Sequence, residues 1–378
     1  MTVAETELPA IKRPTAYEQW LTDEGLKVVE GLFIEDLRTV ELGNWERRGC
    51  RAAVARLEGT EDVNDAHIIE IAPGGRTAPE RHLYEEITYV VSGRGSTKVW
   101  NSAGAETTFE WNAGSVFSVP LNAHAQHFNG SGSASARFYT VTSAPLVMGL
   151  FHNRSFIYEC DFDFTDRFGS DNNDFSGAGT AYRSRVWESR FIPDAAGIEL
   201  KSWAARGAGG SNVMLEIADN SLCGHVSEFP VGTYKKAHRH NAGAHVIILG
   251  GTGFSLLWRE GEPVRRVDWR QGSIVVPPER WFHQHFNTGT TPARYLALRW
   301  GSKKYPLFKQ FLIDRPTTQG GDQIEYQDED PSVRATFEAE LAEHGARSRM
   351  GEVYERSARP HDRTDRTDQA DRADRPDR

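Results

Sequence analysis

Short β-rich runs punctuated by Gly, Pro and Asn dominate the chain. Examples are ITYVVSG from Ile87, SVFSVP from Ser115, HVIILGG from His245 and SIVVPP from Ser273. Only two segments carry a helical spacing of apolar residues. TAYEQWLTDEG, from Thr15, puts Tyr17, Trp20 and Leu21 on one face and stops at Gly25. DPSVRATFEAELAEHG opens with Pro331 and Ser332, spaces Phe337 and Leu341 four apart, and stops at Gly345. The pattern therefore predicts an all-β protein with short helices near its two ends.

The β-rich halves repeat each other at one offset. His67 matches His225, Glu70 matches Glu228, Gly74 matches Gly232 and His82 matches His240. Further on, Gly93, Gly95, Trp100, Trp111, Gly114 and Pro120 match Gly251, Gly253, Trp258, Trp269, Gly272 and Pro278. The QHFN run from Gln126 matches the QHFN run from Gln284, and every difference is 158 (for example 225 − 67). A constant register over more than sixty residues makes the chain two copies of one β domain. The organisation expected is an arm with a helix over 1–45, domain 1 over 46–145, a connection over 146–200, domain 2 over 201–305, a segment with a helix over 306–356, and a tail over 357–378. The acidic, Gly/Asn-rich text of residues 160–179 reads as part of the connection. In the tail, Asp recurs every third residue from Asp362 to Asp377, and Arg nearly balances it. Nothing there is apolar enough to offset the entropy of ordering, so the tail reads as solvated, disordered chain.

Composition narrows the function. The 378 residues carry 44 Lys+Arg and 53 Asp+Glu, a formal net charge of 44 − 53 = −9. That balance offers no footprint for a phosphate backbone, which argues against nucleic acid as a partner. No run approaches the length of a membrane span, the first residues show no export signal, and Cys50, Cys160 and Cys223 form no motif. A reduced, cytoplasmic protein is expected.

The chemistry concentrates in the second copy. Gly232 is followed by His238-x-His240, and Gly272 by Pro278, His283 and Asn287. This spacing resembles the double motif of the cupins, and because both halves match, the chain resembles a bicupin from about Arg51 to Trp300. The resemblance implies tandem antiparallel jelly-roll barrels. Residues two apart on a strand share a face, so His238 and His240 point together into the barrel and His283 can meet them from a later strand. Three imidazoles with open positions suit Fe(II), Mn, Co, Ni, Cu or Zn rather than Ca or Mg.

Two departures mark this chain. The glutamate ligand of the family aligns with Glu86 in the first copy but with Ala244 in the second, where His245 stands next door. Strict alternation turns His245 away from the barrel, unless an irregularity in NAGA rotates it inward as a fourth ligand. In the first copy Glu80, His82 and Ala125 replace His238, His240 and His283. Glu80, His82 and Glu86, with His127 or His124, form a weak metal set, or the first copy has lost its metal and serves structure or dimerisation.

A three-His site without the glutamate resembles the gentisate and salicylate ring-cleaving dioxygenases, whose HRH pair and W-H-x-H element match HRHNAGA and WFHQH here. The placement differs, since the gentisate enzymes carry metal in the N-terminal copy. The whole chain also resembles bicupins labelled ethanolamine ammonia-lyase-activating. The resemblance implies a non-haem dioxygenase, with Fe(II) held by His238, His240 and His283, acting with O2 on a small aromatic or polar acidic metabolite. His285 shares the inward parity and can act as acid or base. By the same parity Lys236 faces inward to pair a substrate carboxylate, Arg239 faces out, and Trp281 forms an aromatic wall or core. His245 completes the candidate catalytic set. The alternatives are a metal-dependent lyase, isomerase or decarboxylase of the cupin type, and a non-catalytic metabolite-binding bicupin. A homodimer or higher symmetric oligomer is expected, with residues 14–45 long enough to reach a neighbour.

Overall fold

A computed structural model describes residues 14–60, 63–170, 174–240, 243–307 and 315–358. The Arg/Asp-rich tail, beyond residue 358, lies outside the described residues. So do Asn241 and Ala242, where an irregularity was considered.

The all-β expectation holds. Each barrel is a jelly roll made of one large and one three-stranded sheet. In the first barrel the small sheet orders Arg94–Trp100 between His124–Asn129 and Glu106–Asn112; in the second, Thr252–Trp258 lies between Phe282–Asn287 and Arg265–Arg270. The large sheets contain eight and nine strands. Their central strands are buried on both faces. In Cys50–Leu57, Ala52 and Val54 point into the first barrel's core, while Ala53, Ala55 and Leu57 join a second core. That second core also receives Val213, Leu215, Leu296 and Leu298, so the two large sheets pack on each other.

The barrels are further tied by a reciprocal strand exchange. Phe33–Ile34, at the start of the first repeat, pairs with Ile274–Val275 of the second barrel. Phe191–Ile192 stands 158 residues later (191 − 33) and pairs with Val116–Phe117 of the first.

Helix α1 is Ala16–Asp23, opened by a capping box between Thr15 and Glu18, and it buries Tyr17, Trp20 and Leu21 as expected. Helices α2 (Ala144–Phe151) and α3 (Arg154–Glu159) follow the first barrel and were not anticipated, because α2 is almost wholly apolar and α3 is only six residues long, too short to show a period. Helix α4 (Pro331–Glu343) starts on the Asp330 cap and buries Phe337 and Leu341. With α5 (Gly351–Ala358) it contributes to an apolar cluster over Tyr234, Phe254 and Phe286. None of the described helices is long and apolar enough to cross a membrane.

Candidate metal centre

His283 lies on the strand Phe282–Asn287, and His238 pairs beside it through mutual backbone bonds of 3.1 and 2.9 Å. The pairing between these segments is not regular. Tyr234 opposes Phe286 and His238 opposes His283, so four steps on one side face three on the other. This extra residue acts as a β-bulge. The first barrel repeats it, with Arg76 opposite Phe128 and Glu80 opposite Ala125.

The ligand atoms of His238, His240 and His283 lie within 4.8 Å of one another. Their ring centroids stand 4.2 Å (His238–His283), 4.8 Å (His240–His283) and 5.8 Å (His238–His240) apart. Nδ1 of His238 is 3.1 Å from the Lys236 carbonyl, and Nδ1 of His283 is 3.2 Å from the Trp281 carbonyl. A carbonyl only accepts, so in both rings Nδ1 carries the proton and Nε2 presents its lone pair. Burial holds the imidazoles neutral, pushing His283 down to about 3 and His238 well below its ordinary value, with Arg206 adding to both depressions. Two neutral rings with bare Nε2 atoms, and a third imidazole whose ligand atom lies within 4.8 Å of theirs, fit a borderline transition metal.

The bulge changes which lysine faces the site. Parity placed Lys236 inward, but the extra residue turns it out, where its Nζ pairs with Glu325 at 2.6 Å. Lys235 points inward instead and is 2% exposed. Its Nζ donates to the Tyr295 hydroxyl at 2.8 Å and stands over the rings of Tyr295 and Phe229. Burial lowers the pKa of this ammonium; the Tyr295 hydroxyl opposes that shift and Arg206 adds to it. Arg239 faces out, as expected, to Asp322 and Glu260. Trp281 is partly buried against the core cluster containing Ala244, Val246 and Tyr295, with the Arg265 guanidinium over its ring.

His245 is not brought to the triad. It is fully buried between the barrels, with Nδ1 2.7 Å from the Tyr139 hydroxyl of the first barrel. Alternation held there, and burial pushes its pKa down to about 3. His285 does face the site, 5.7 Å from His283 between ring centroids. Its Nδ1 is 2.7 Å from Ser255 Oγ, which accepts from Trp269 Nε1 at 2.9 Å. Burial holds His285 neutral, reinforced by His283 and Lys235.

The sequence reading missed Lys235 and Arg206. Arg206 is buried, donates to the Gln323 amide oxygen at 3.1 Å, and follows a Trp–x–x–Arg–Gly pattern from Trp203. The same pattern starts at Trp45 and ends in Arg48 and Gly49. Carrying the 158-residue register upstream would have found the pair. In the first barrel Arg48 contacts Glu80 at 3.3 Å and Arg47 also donates to it. Burial opposes ionisation of Glu80, but Arg48 and Arg47 outweigh it and bring this carboxyl down to about 2. His82 Nε2 lies 3.4 Å from Glu86. Among the described residues the first barrel gathers no metal set; Arg47 and Arg48 hold the Glu80 carboxylate instead.

No family model and no curated protein matches this sequence. Among solved structures, the chain is similar to Lactobacillus farciminis oxalate decarboxylase in its formate complex, at 14% identity and TM-score 0.49, over 82% of this chain and 97% of that one. It is also similar to Bacillus subtilis oxalate decarboxylase studied for its Mn(II) centres, at 12% identity and TM-score 0.48, over 82% and 87%. Similarity at this level assigns neither substrate nor reaction to this chain.

Proposed function

We propose that the second barrel is the active centre of a metal-dependent enzyme acting on a small metabolite that bears a carboxylate, by non-oxidative chemistry of the decarboxylase or lyase class. One observation carries the reading. Beside three imidazoles whose ligand atoms lie within 4.8 Å of one another, Lys235 is buried with a hydroxyl and two aromatic rings as its described side-chain partners, and no carboxylate. A buried ammonium without a counter-ion is costly, and an incoming carboxylate relieves that cost.

His238, His240 and His283 would hold Mn(II) or Fe(II), which supplies a Lewis acid when bound. Lys235 orients the substrate carboxylate. Loss of CO2 leaves an electron pair on carbon that takes up one proton, and the Lys235–Tyr295 pair holds protons at Nζ and Oη for that step. Burial of the pair excludes bulk water.

A second reading rests on the ligand set itself. Ala244 stands where a carboxylate ligand would, and the all-imidazole set resembles that of the gentisate and salicylate dioxygenases, which points to O2-dependent Fe(II) chemistry. One experiment separates the two. Metal-replete protein is offered a panel of aliphatic and aromatic carboxylic acids while CO2 release and O2 consumption are recorded together. CO2 release without net O2 consumption supports the first reading, and stoichiometric O2 consumption supports the second. Protein that retains no metal and binds no carboxylate refutes both.

A further inference from the structure

His285 lies as close to His283, at 5.7 Å between ring centroids, as His238 lies to His240, at 5.8 Å. Proximity alone would admit it as a fourth ligand, yet its hydrogen bonds set it apart. The Trp269 indole nitrogen can only donate, so Ser255 Oγ is an acceptor in that bond. The hydroxyl's own hydrogen then needs an acceptor, and His285 Nδ1, 2.7 Å away, is the other described side-chain atom bonded to it. Nδ1 of His285 is therefore bare, and in the neutral ring Nε2 carries the proton. His283, two residues earlier on the same strand, has the opposite tautomer, because its Nδ1 faces a carbonyl. The first barrel repeats the relay with a different hydroxyl. Trp111 Nε1 donates to Thr97 Oγ1 at 3.0 Å, which lies 2.8 Å from His127 Nδ1.

We propose that Ser255 is a positioning residue which, through Trp269, locks His285 as the Nε2–H tautomer, barring it from the metal's ligand set and making it a neutral donor toward the bound carboxylate. A protonated Nε2 has no lone pair to give, so coordination stops at three imidazoles and a position stays open for substrate. The proposal rests on the triad being a metal site, but the tautomer does not.

The test begins on metal-free protein labelled with 15N-histidine, with the His285 signals assigned by their loss in His285→Gln. The expected wild-type result is a bare Nδ1 and a protonated Nε2. Ser255→Ala should release the ring to the other tautomer and leave His127 unchanged. It should also tighten binding of Mn(II) or Co(II) by about tenfold as a fourth imidazole joins, whereas loss of an ordinary supporting contact typically weakens metal binding by about 10- to 100-fold. Ser255→Thr, which copies the first barrel's hydroxyl, should restore both wild-type results. A protonated Nδ1 in the wild type, an unchanged tautomer in Ser255→Ala, or weakened metal binding in that variant each overturns the proposal. Failure of the wild type to bind metal refutes the metal reading and the exclusion role with it, while the nitrogen shifts still decide the tautomer.

Discussion

The two barrels share a backbone plan, a bulge and a Trp–hydroxyl–His relay, yet their interiors carry different groups at the repeated positions. In the first, Glu80 is met by Arg47 and Arg48, both part of the chain. In the second, His238 replaces Glu80 and His283 replaces Ala125, and three imidazoles gather where the first barrel has an ion pair. Arginine at the repeated position, Arg48 or Arg206, is buried in both. The difference teaches that one duplicated backbone accepts either a carboxylate neutralised by guanidinium groups or a cluster of imidazoles at the same positions.

The largest effect should separate the barrels outright. Wild-type protein is expected to hold one equivalent of transition metal per chain, and His283→Gln none, by elemental analysis after dialysis. Two equivalents in the wild type, or one retained by the variant, would break the asymmetry.

Next in size is the first barrel's ion pair. Removing one partner of a buried pair costs about 3–5 kcal/mol because the other charge stays buried. Arg48→Met should fall near the lower end, since Arg47 remains on Glu80. Urea unfolding checks this, and adding Glu80→Gln should recover much of the loss. Metal content should not change in either variant.

Lys235→Met should act oppositely on stability and on binding. Replacing an ammonium that lacks a carboxylate partner should stabilise the ligand-free protein by about 1 kcal/mol. Affinity for carboxylate ligands should fall about tenfold or more, by calorimetric titration. A variant that loses stability while binding carboxylates normally would make Lys235 a packing residue.

Much of this was legible in the sequence, and the reasons for the exceptions are specific. The constant offset revealed the duplication, and the cupin-like spacing of His238-x-His240 and His283 picked out three residues that the structure brings together even though His238 and His240 lie outside a regular strand. Lys236 was chosen over Lys235 because alternation assumes an unbroken strand, and two adjacent lysines give no hint of a bulge between Tyr234 and His238. His245 was a candidate through its place beside Ala244, whereas its role is a hydrogen bond to Tyr139 across the barrels, a contact between residues 106 apart. The exchanged strands Phe33–Ile34 and Phe191–Ile192 are two residues each, too short for any periodicity to register.

The last expected effect, confined to one pH range, concerns the outer faces of the three-stranded sheets. In the first barrel this face carries Arg76, Ser96 and Lys98; in the second the same positions are Tyr234, Phe254 and Leu256, which pack with Phe337 and Leu341 of α4. That cover draws in a carboxyl. Glu329 accepts from the Tyr234 hydroxyl and from Gln284 Nε2 at 3.1 Å. Burial raises its pKa to about 7, against the lowering effect of those hydrogen bonds. The folded state therefore holds this proton to higher pH than the unfolded chain does. The resulting stability is fully present below the ordinary value of 4.5 and is lost as pH rises toward 7. Partial exposure discounts the effect to on the order of 2 kcal/mol. Glu329→Gln removes the titration while keeping an acceptor for Tyr234, and the partnerless Gln284 Oε1 can take its new N–H. The variant should match the wild type near pH 4.5 and be the more stable of the two at pH 8, by urea unfolding across that range. Parallel stability curves for the two proteins would show that the carboxyl is solvated, and that the cover on the second barrel is looser than its apolar contacts imply.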